Sequence, residues 1–159
     1  MQDQQILNQM VALSEKKLEM LIRLKGLSEK QNKAFYTHKL DSIEQILSKK
    51  DEIIQYIHQL DDAFLMASDN LKEMLDIKSL EDLSNSSLNG RNELKELIRN
   101  ITDTVESIIL VEKDSYNSAK GIQKDLANKI KDVNAGRKIT TAYNFKPSNN
   151  PSYFFDKKK

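Results

Sequence analysis

The chain has 159 residues, of which 38% are apolar and 31% are charged, and its net charge is +1. This composition is typical of a folded protein and excludes a fully disordered chain, and the absence of cysteine excludes a disulfide framework and a thiol nucleophile. The longest wholly apolar runs have four residues, too few to cross a bilayer, and MQDQQILNQM lacks the basic flank of a secretory signal. We therefore expect a soluble, cytoplasmic protein.

Over the first 64 residues, apolar side chains recur every three or four positions, which is the spacing of a helix that buries one face. The first series contains one lysine and consists of Ile6, Met10, Leu13, Lys17, Met20, Leu24 and Leu27. A second helix is predicted to open at Asp41, and two polar residues interrupt its series without ending it. This series consists of Leu40, Ile43, Leu47, Lys50, Ile54, Ile57, Asp61 and Phe64. Residues 37–39 between the two series fit either a kink or a full turn.

The pattern weakens between about Ser68 and Asn92, where Ser79 is suited to start a single helical turn and residues 85–90 are typical of a loop. The clearest series follows. It consists of Leu94, Ile98, Ile101, Val105, Ile108, Glu112, Ser115, Ala119, Ile122, Leu126, Ile130 and Val133. Residues 134–136, Asn-Ala-Gly, supply a helix stop. This last helix would have about forty residues and a length of about 60 Å.

Helices of this length with narrow apolar stripes must pack against one another, and no strand pattern is present. The sequence therefore predicts an all-α fold: an elongated antiparallel bundle or coiled coil of long helices with a flexible C-terminal tail. We place the helical body at residues 1–134 and the tail at 135–159. The tail has six basic residues and one acidic residue, a net charge of +5, whereas the body has 19 basic and 23 acidic residues, a net charge of −4. The same stripes would serve a single-chain bundle or a homodimer.

Residues that could carry catalysis are scarce. Of the two histidines, neither His38 nor His58 follows a glutamate by three positions, as in di-iron bundles, and neither a phosphate-binding glycine loop nor a Gly-x-Ser-x-Gly motif occurs. The sequence therefore predicts a protein that is not an enzyme and uses no cofactor or metal. A mildly acidic body argues against nucleic-acid binding, and the three terminal lysines would support only transient membrane contact rather than stable insertion.

Three segments resemble the FlgN-type flagellar export chaperones. They are LDSIEQILSKK at residues 40–50, GRKITTAYN at residues 136–144, and PSYFFDKK at residues 151–158. The resemblance extends over the whole chain but is most specific in the tail. It implies a cytoplasmic, ATP-independent chaperone that binds the C-terminal helices of hook-associated proteins 1 and 3. These hook-filament junction proteins would be held before the flagellar type III export apparatus receives them, and the export apparatus itself is a further expected contact.

The tail carries five of the ten aromatic residues, and aromatic anchors often dominate interface energies. Its predicted partner-binding residues are Ile139, Ala142, Tyr143, Phe145, Tyr153, Phe154 and Phe155. The first three are spaced as neighbours on one side of a helix. Three behaviours stay open: the tail closes over a client segment, packs on its own bundle, or docks nowhere. The alternative function is a structural coiled-coil adaptor or homo-oligomer without a client.

Overall fold

A computed structural model describes residues 1–129 of the chain, and within that range every regular element is a helix. Three long helices, α1 (Gln2–Tyr36), α2 (Asp41–Leu75) and α3 (Arg91–Lys129), have 35, 35 and 39 residues, and a short 3-10 helix (Leu80–Asn85) precedes α3. The predicted all-α bundle of long helices is confirmed, as is the start of the second helix at Asp41. The predicted stop at residues 134–136 and the boundary between body and tail lie outside the described residues.

The connection between α1 and α2 is a full turn rather than a kink. The backbone N–H of Lys39 donates to the carbonyl of Ala34 at 2.9 Å, and that of His38 donates to Phe35 at 3.3 Å. These two bonds form a Schellman motif, which requires a left-handed residue after the helix, and His38 takes that position with φ of 57°. A non-glycine residue there carries a steric cost of about 1 kcal/mol.

The end of α2 differs from the prediction. The pattern was expected to weaken from about Ser68, but the helix continues to Leu75, and both Ser68 and Leu71 are buried. Their spacing from Phe64, four and then three residues, continues the series of α2. Ser79 then caps the 3-10 helix, since its side chain accepts the N–H of Glu81 at 3.2 Å, which confirms the predicted helical turn.

The described residues fall into two compact units. The first unit contains Met1–Ile22 and Gln55–Val105, and the second contains Arg23–Ile54 and α3 from residue 106 onward. In the second unit the core cluster consists of Ala34, Phe35, Ile43, Ala119 and Ile122. There α1 and α2 run antiparallel, because the two ends that meet at the turn share this cluster, whereas α1 and α3 run parallel.

In the first unit the start of α1 is joined to the loop that precedes α3. The side-chain amide of Gln4 donates to the carbonyl of Asn89 at 2.8 Å, and its oxygen accepts the backbone N–H of Asn89 at 3.0 Å. Gly90 follows with φ of +100°, a conformation that favours glycine. The loop therefore enters α3 with its backbone held against α1.

The series predicted for α3 is confirmed through Ile122. Each of its members in this range is buried, namely Leu94, Ile98, Ile101, Val105, Ile108, Glu112, Ser115, Ala119 and Ile122. The polar members Glu112 and Ser115 are buried with the rest. In this helix the spacing of residues therefore predicted burial better than their polarity did.

The series predicted for α1 is confirmed at Met10, Lys17, Met20 and Leu24, which are buried, and is displaced by one position at its other three members. The innermost line of the helix consists of Leu7, Met10, Ser14, Lys17, Leu21, Leu24, Ser28, Gln31 and Phe35. The predicted members Ile6, Leu13 and Leu27 are half-buried on its flank. At Ser14 and Ser28 the prediction was wrong because the innermost residue is polar and its neighbour is more apolar, whereas Ile6 and Leu7 are equally apolar.

Candidate functional site

The partner-binding residues predicted from the sequence all belong to the tail. They are Ile139, Ala142, Tyr143, Phe145, Tyr153, Phe154 and Phe155, and they lie outside the described residues. Within residues 1–129, the notable polar features are instead two sets of charged side chains buried in the helix seams.

The first buried set is an ion pair in the first unit. The ammonium of Lys17 on α1 donates to the Oδ1 atom of Asp61 on α2 at 2.7 Å, and the two side chains are 0% and 4% exposed. Both residues occupy innermost positions, where the preceding and following members of each series are mostly apolar. The pair therefore replaces one apolar layer between α1 and α2.

Removal from water dominates the electrostatics of this pair. Burial lowers the pKa of Lys17 below its ordinary value of 10.5, and the attraction and hydrogen bond of Asp61 oppose that shift. Burial likewise raises the pKa of Asp61 above 3.8, against the attraction of Lys17. Both pKa shifts mean that the neutral form of each group is more favoured in the folded protein than it is in water. Because the side chain of Lys17 is fully buried, its amine is not exposed on the protein surface.

The second buried set joins all three helices of the second unit. Lys50 on α2 donates to the side-chain oxygen of Gln31 on α1 at 2.7 Å, and it also donates to Glu112 on α3. Ser28 on α1 donates to the same Oε1 atom of Glu112 at 2.6 Å. Burial lowers the pKa of Lys50, opposed by the charge and hydrogen bond of Glu112. One glutamate oxygen thus accepts hydrogen bonds from two helices at once.

Two further serines occupy innermost positions with no hydrogen-bond partner for their hydroxyl among the described residues. They are Ser14 in the first unit and Ser115 in the second, and both are 0% exposed. A buried hydroxyl without a partner carries a free-energy cost. These positions contrast with Ser28, whose environment is similar but whose hydroxyl is bonded.

The polar interruptions of each helical series are evident from the sequence, but their pairing is not. Lys17 and Asp61 are 44 residues apart, and Lys50 and Glu112 are 62 apart, so no local pattern connects them. A signal was nevertheless present: in antiparallel seams, a lysine in one series and an aspartate in the other at matching distances from the turn would lie side by side.

Neither a cluster of metal-ligating side chains nor a membrane-spanning helix occurs in the part of the chain that the structure describes. Residues 1–129 contain no group of three histidine, aspartate or glutamate side chains placed to hold a metal ion. None of the helices described is both long enough and apolar enough to cross a membrane. What the arrangement provides is a helical bundle whose charged seam residues are paired internally.

Comparison with known proteins adds no relative. No family model, no curated protein and no solved structure matches the chain significantly. The class of molecule is therefore defined by its fold alone, as an all-α bundle of three long helices and one short one over residues 1–129.

Proposed function

We propose that this protein is a FlgN-type flagellar export chaperone: a non-enzymatic cytoplasmic protein that binds the C-terminal helices of hook-associated proteins 1 and 3. It would keep them from assembling early and support flagellum assembly through type III export. The observation that carries the proposal is the aromatic, basic segment at residues 136–158, which resembles that family and follows a body of long helices.

The burial of the innermost helix positions supports client binding by the tail rather than by the centre of the bundle. The innermost positions of α1, α2 and α3 are filled within a single chain, including the charged pairs, so they do not offer an open stripe to a client. A client helix with its own apolar stripe would then engage the tail or an outer groove. The tail has the aromatic residues suited to anchoring such a helix.

The test is co-expression with the C-terminal region of hook-associated protein 1 or 3, followed by gel filtration. The full-length chain is expected to co-elute with the client, and a chain cut after Thr141 is expected not to. A matched pair of full-length variants refines the result: Tyr153→Ala with Phe154→Ala and Phe155→Ala should lose the client, whereas Asn149→Ala with Asn150→Ala should keep it.

Absence of co-elution with both clients would reject the chaperone proposal. The alternative, a coiled-coil adaptor or homo-oligomer without a client, predicts self-association that removal of the tail barely changes. Internal pairing of the seam charges is an observation against a homo-oligomer formed through those seams, because a second copy would have to replace satisfied partners.

A further inference from the structure

The loop before α3 contains the only Asn-Gly dipeptide of the chain, Asn89-Gly90. An asparagine can lose its side-chain amide when the backbone nitrogen of the next residue attacks the side-chain carbon, and a following glycine has no Cβ to hinder that attack. The reaction is slow when the asparagine is enclosed or when the attacking N–H is held in a hydrogen bond. Whether this pair reacts therefore depends on its environment in the fold.

Asn89 is open to solvent, and only its backbone is held. The residue is exposed, in the turn that precedes α3. Among the residues that the structure describes, its side-chain amide has no hydrogen-bond partner. Its backbone, by contrast, is bound by the side chain of Gln4, which donates to the carbonyl at 2.8 Å and accepts the N–H at 3.0 Å. The side chain is therefore free to rotate beside a backbone that is fixed.

The backbone N–H of Gly90 is available for the reaction. Gly90 directly precedes the first residue of α3, and the N–H groups at the start of a helix have no partner within it. Its carbonyl accepts the N–H of Leu94 at 2.9 Å, but its own N–H donates to no acceptor within residues 1–129. Because the attacking nitrogen and the side-chain carbon belong to adjacent residues, their effective concentration is high.

Asn85 provides a contrast in the same region of the chain. It is also exposed, and it is followed by another small residue, Ser86. There the backbone N–H of Ser86 donates to the carbonyl of Leu83 at 2.9 Å, at the end of the 3-10 helix. Attack on Asn85 would first have to break that hydrogen bond. The two asparagines thus share their exposure but differ in the availability of the attacking nitrogen.

We propose that Asn89 is a site of spontaneous deamidation in the folded protein. The nitrogen of Gly90 forms a bond to Cγ of Asn89 and gives up its proton, and the side-chain nitrogen leaves as ammonia with that proton. Water then opens the resulting succinimide. Cleavage of the new bond at Cγ gives aspartate, whereas cleavage of the original peptide bond gives isoaspartate, whose main chain runs through Cγ. Water is the one co-reactant, and each product has gained a carboxylate.

The two products differ in their effect on the start of α3. Aspartate keeps the backbone unchanged and places a negative charge near the positive end of the helix, where it is favourable. Isoaspartate lengthens the main chain and converts the carbonyl that accepts the hydrogen bond of Gln4 into a free carboxylate. The isoaspartate form should therefore hold the loop less firmly against α1. The reaction requires no client, so it is independent of the chaperone proposal.

The test is incubation of the full-length protein at mildly alkaline pH, with the same protein unfolded in urea as the reference. Peptide mass spectrometry measures the conversion of amide to acid at each asparagine, and isoaspartate-specific methylation separates the two products. Because exposed loops open at little cost, conversion at Asn89 in the folded protein should be within about tenfold of its rate in urea. Conversion at Asn85 in the folded protein should be at least about tenfold slower than at Asn89, because the hydrogen bond of Ser86 opposes it.

Matched variants assign the signal. Asn89→Gln should abolish conversion at this position, because its longer side chain does not form the succinimide ring, whereas Asn85→Gln should leave conversion at Asn89 unchanged. Circular dichroism during the incubation establishes that the protein stays folded. Conversion of Asn89 in urea but not in the folded protein would overturn the proposal, because the fold would then protect the pair. Equal rates at Asn85 and Asn89 in the folded protein would refute the role of the free N–H of Gly90.

Discussion

Replacing the buried Lys17–Asp61 pair by apolar side chains tests whether it stabilises the fold. The variants are Lys17→Met, Asp61→Leu and the double substitution. In the structure the ammonium and carboxylate are 2.7 Å apart, and their side chains are 0% and 4% exposed. With an effective dielectric constant of about 20, attraction at this distance is about 6 kcal/mol.

The opposing term is the cost of removing two ions from water, which is several kcal/mol for each ion. The pKa shifts indicate the balance: burial is the larger influence on both groups, lowering the pKa of Lys17 and raising that of Asp61 in spite of their mutual attraction. The ion pair is therefore expected to be no more stabilising than an apolar pair of similar volume. A single substitution, by contrast, leaves one buried charge without its partner.

Each single variant should lower the free energy of unfolding by about 3–5 kcal/mol, whereas the double variant should equal the natural protein or exceed it by about 1–4 kcal/mol. The assay is urea unfolding followed by circular dichroism, with the double-mutant cycle giving the coupling. Lys16→Met is the matched control, because Lys16 is a neighbour whose ion pair with Glu19 is exposed, and it should change stability by less than about 0.5 kcal/mol. If the two single losses simply add in the double variant, desolvation does not dominate and the reasoning is refuted.

Three further results are expected from the same assay. Ser14→Ala should leave the free energy of unfolding unchanged or raise it by about 1 kcal/mol, because the lost hydroxyl has no hydrogen-bond partner among the described residues. Ser28→Ala should lower it by about 1–3 kcal/mol, because it removes a hydrogen bond to the buried carboxylate of Glu112. Similar losses in both variants would contradict this. His38→Gly should stabilise by about 0.5–1 kcal/mol by relieving the positive φ at the end of α1, and a loss would show that the side chain matters more than the backbone. Burial lowers the folded-state pKa of Lys17 below 10.5, so the unfolded chain binds more protons just below that pH. The stability of the natural protein relative to the double variant should therefore rise as the pH approaches 10.5 from below. A falling difference would reverse the assigned sign.

The helices were predictable because their signal is local. In α3 the spacing alone placed Glu112 and Ser115 in the seam, and both are buried. In α1 the same spacing predicted burial of Leu13 and Leu27 rather than of the adjacent serines, because without knowledge of the partner helix an apolar side chain is the one expected to be buried. Serine at such a position becomes favourable only through a contact from a distant part of the chain, as between Ser28 and Glu112.

The predicted partner-binding residues were identified from a different kind of sequence signal than the helical positions were. The aromatic residues of the tail were singled out from composition and from a resemblance, and they lie outside the described residues.

The buried charges have a consequence for the choice of helix register. Seams that repeat every seven residues allow neighbouring helices to shift by one heptad with little change in apolar contact. Such a shift would move Lys17 from Asp61 to the position of Ile54 or Ser68, leaving a buried ammonium without a carboxylate. Breaking a buried pair in this way costs about 3–5 kcal/mol, and the network of Lys50 penalises a shift of its own helices in the same way. Buried polar pairs that add little stability in the correct register therefore strongly destabilise the shifted registers. They favour one register of the long helices, whereas the apolar residues alone would permit several.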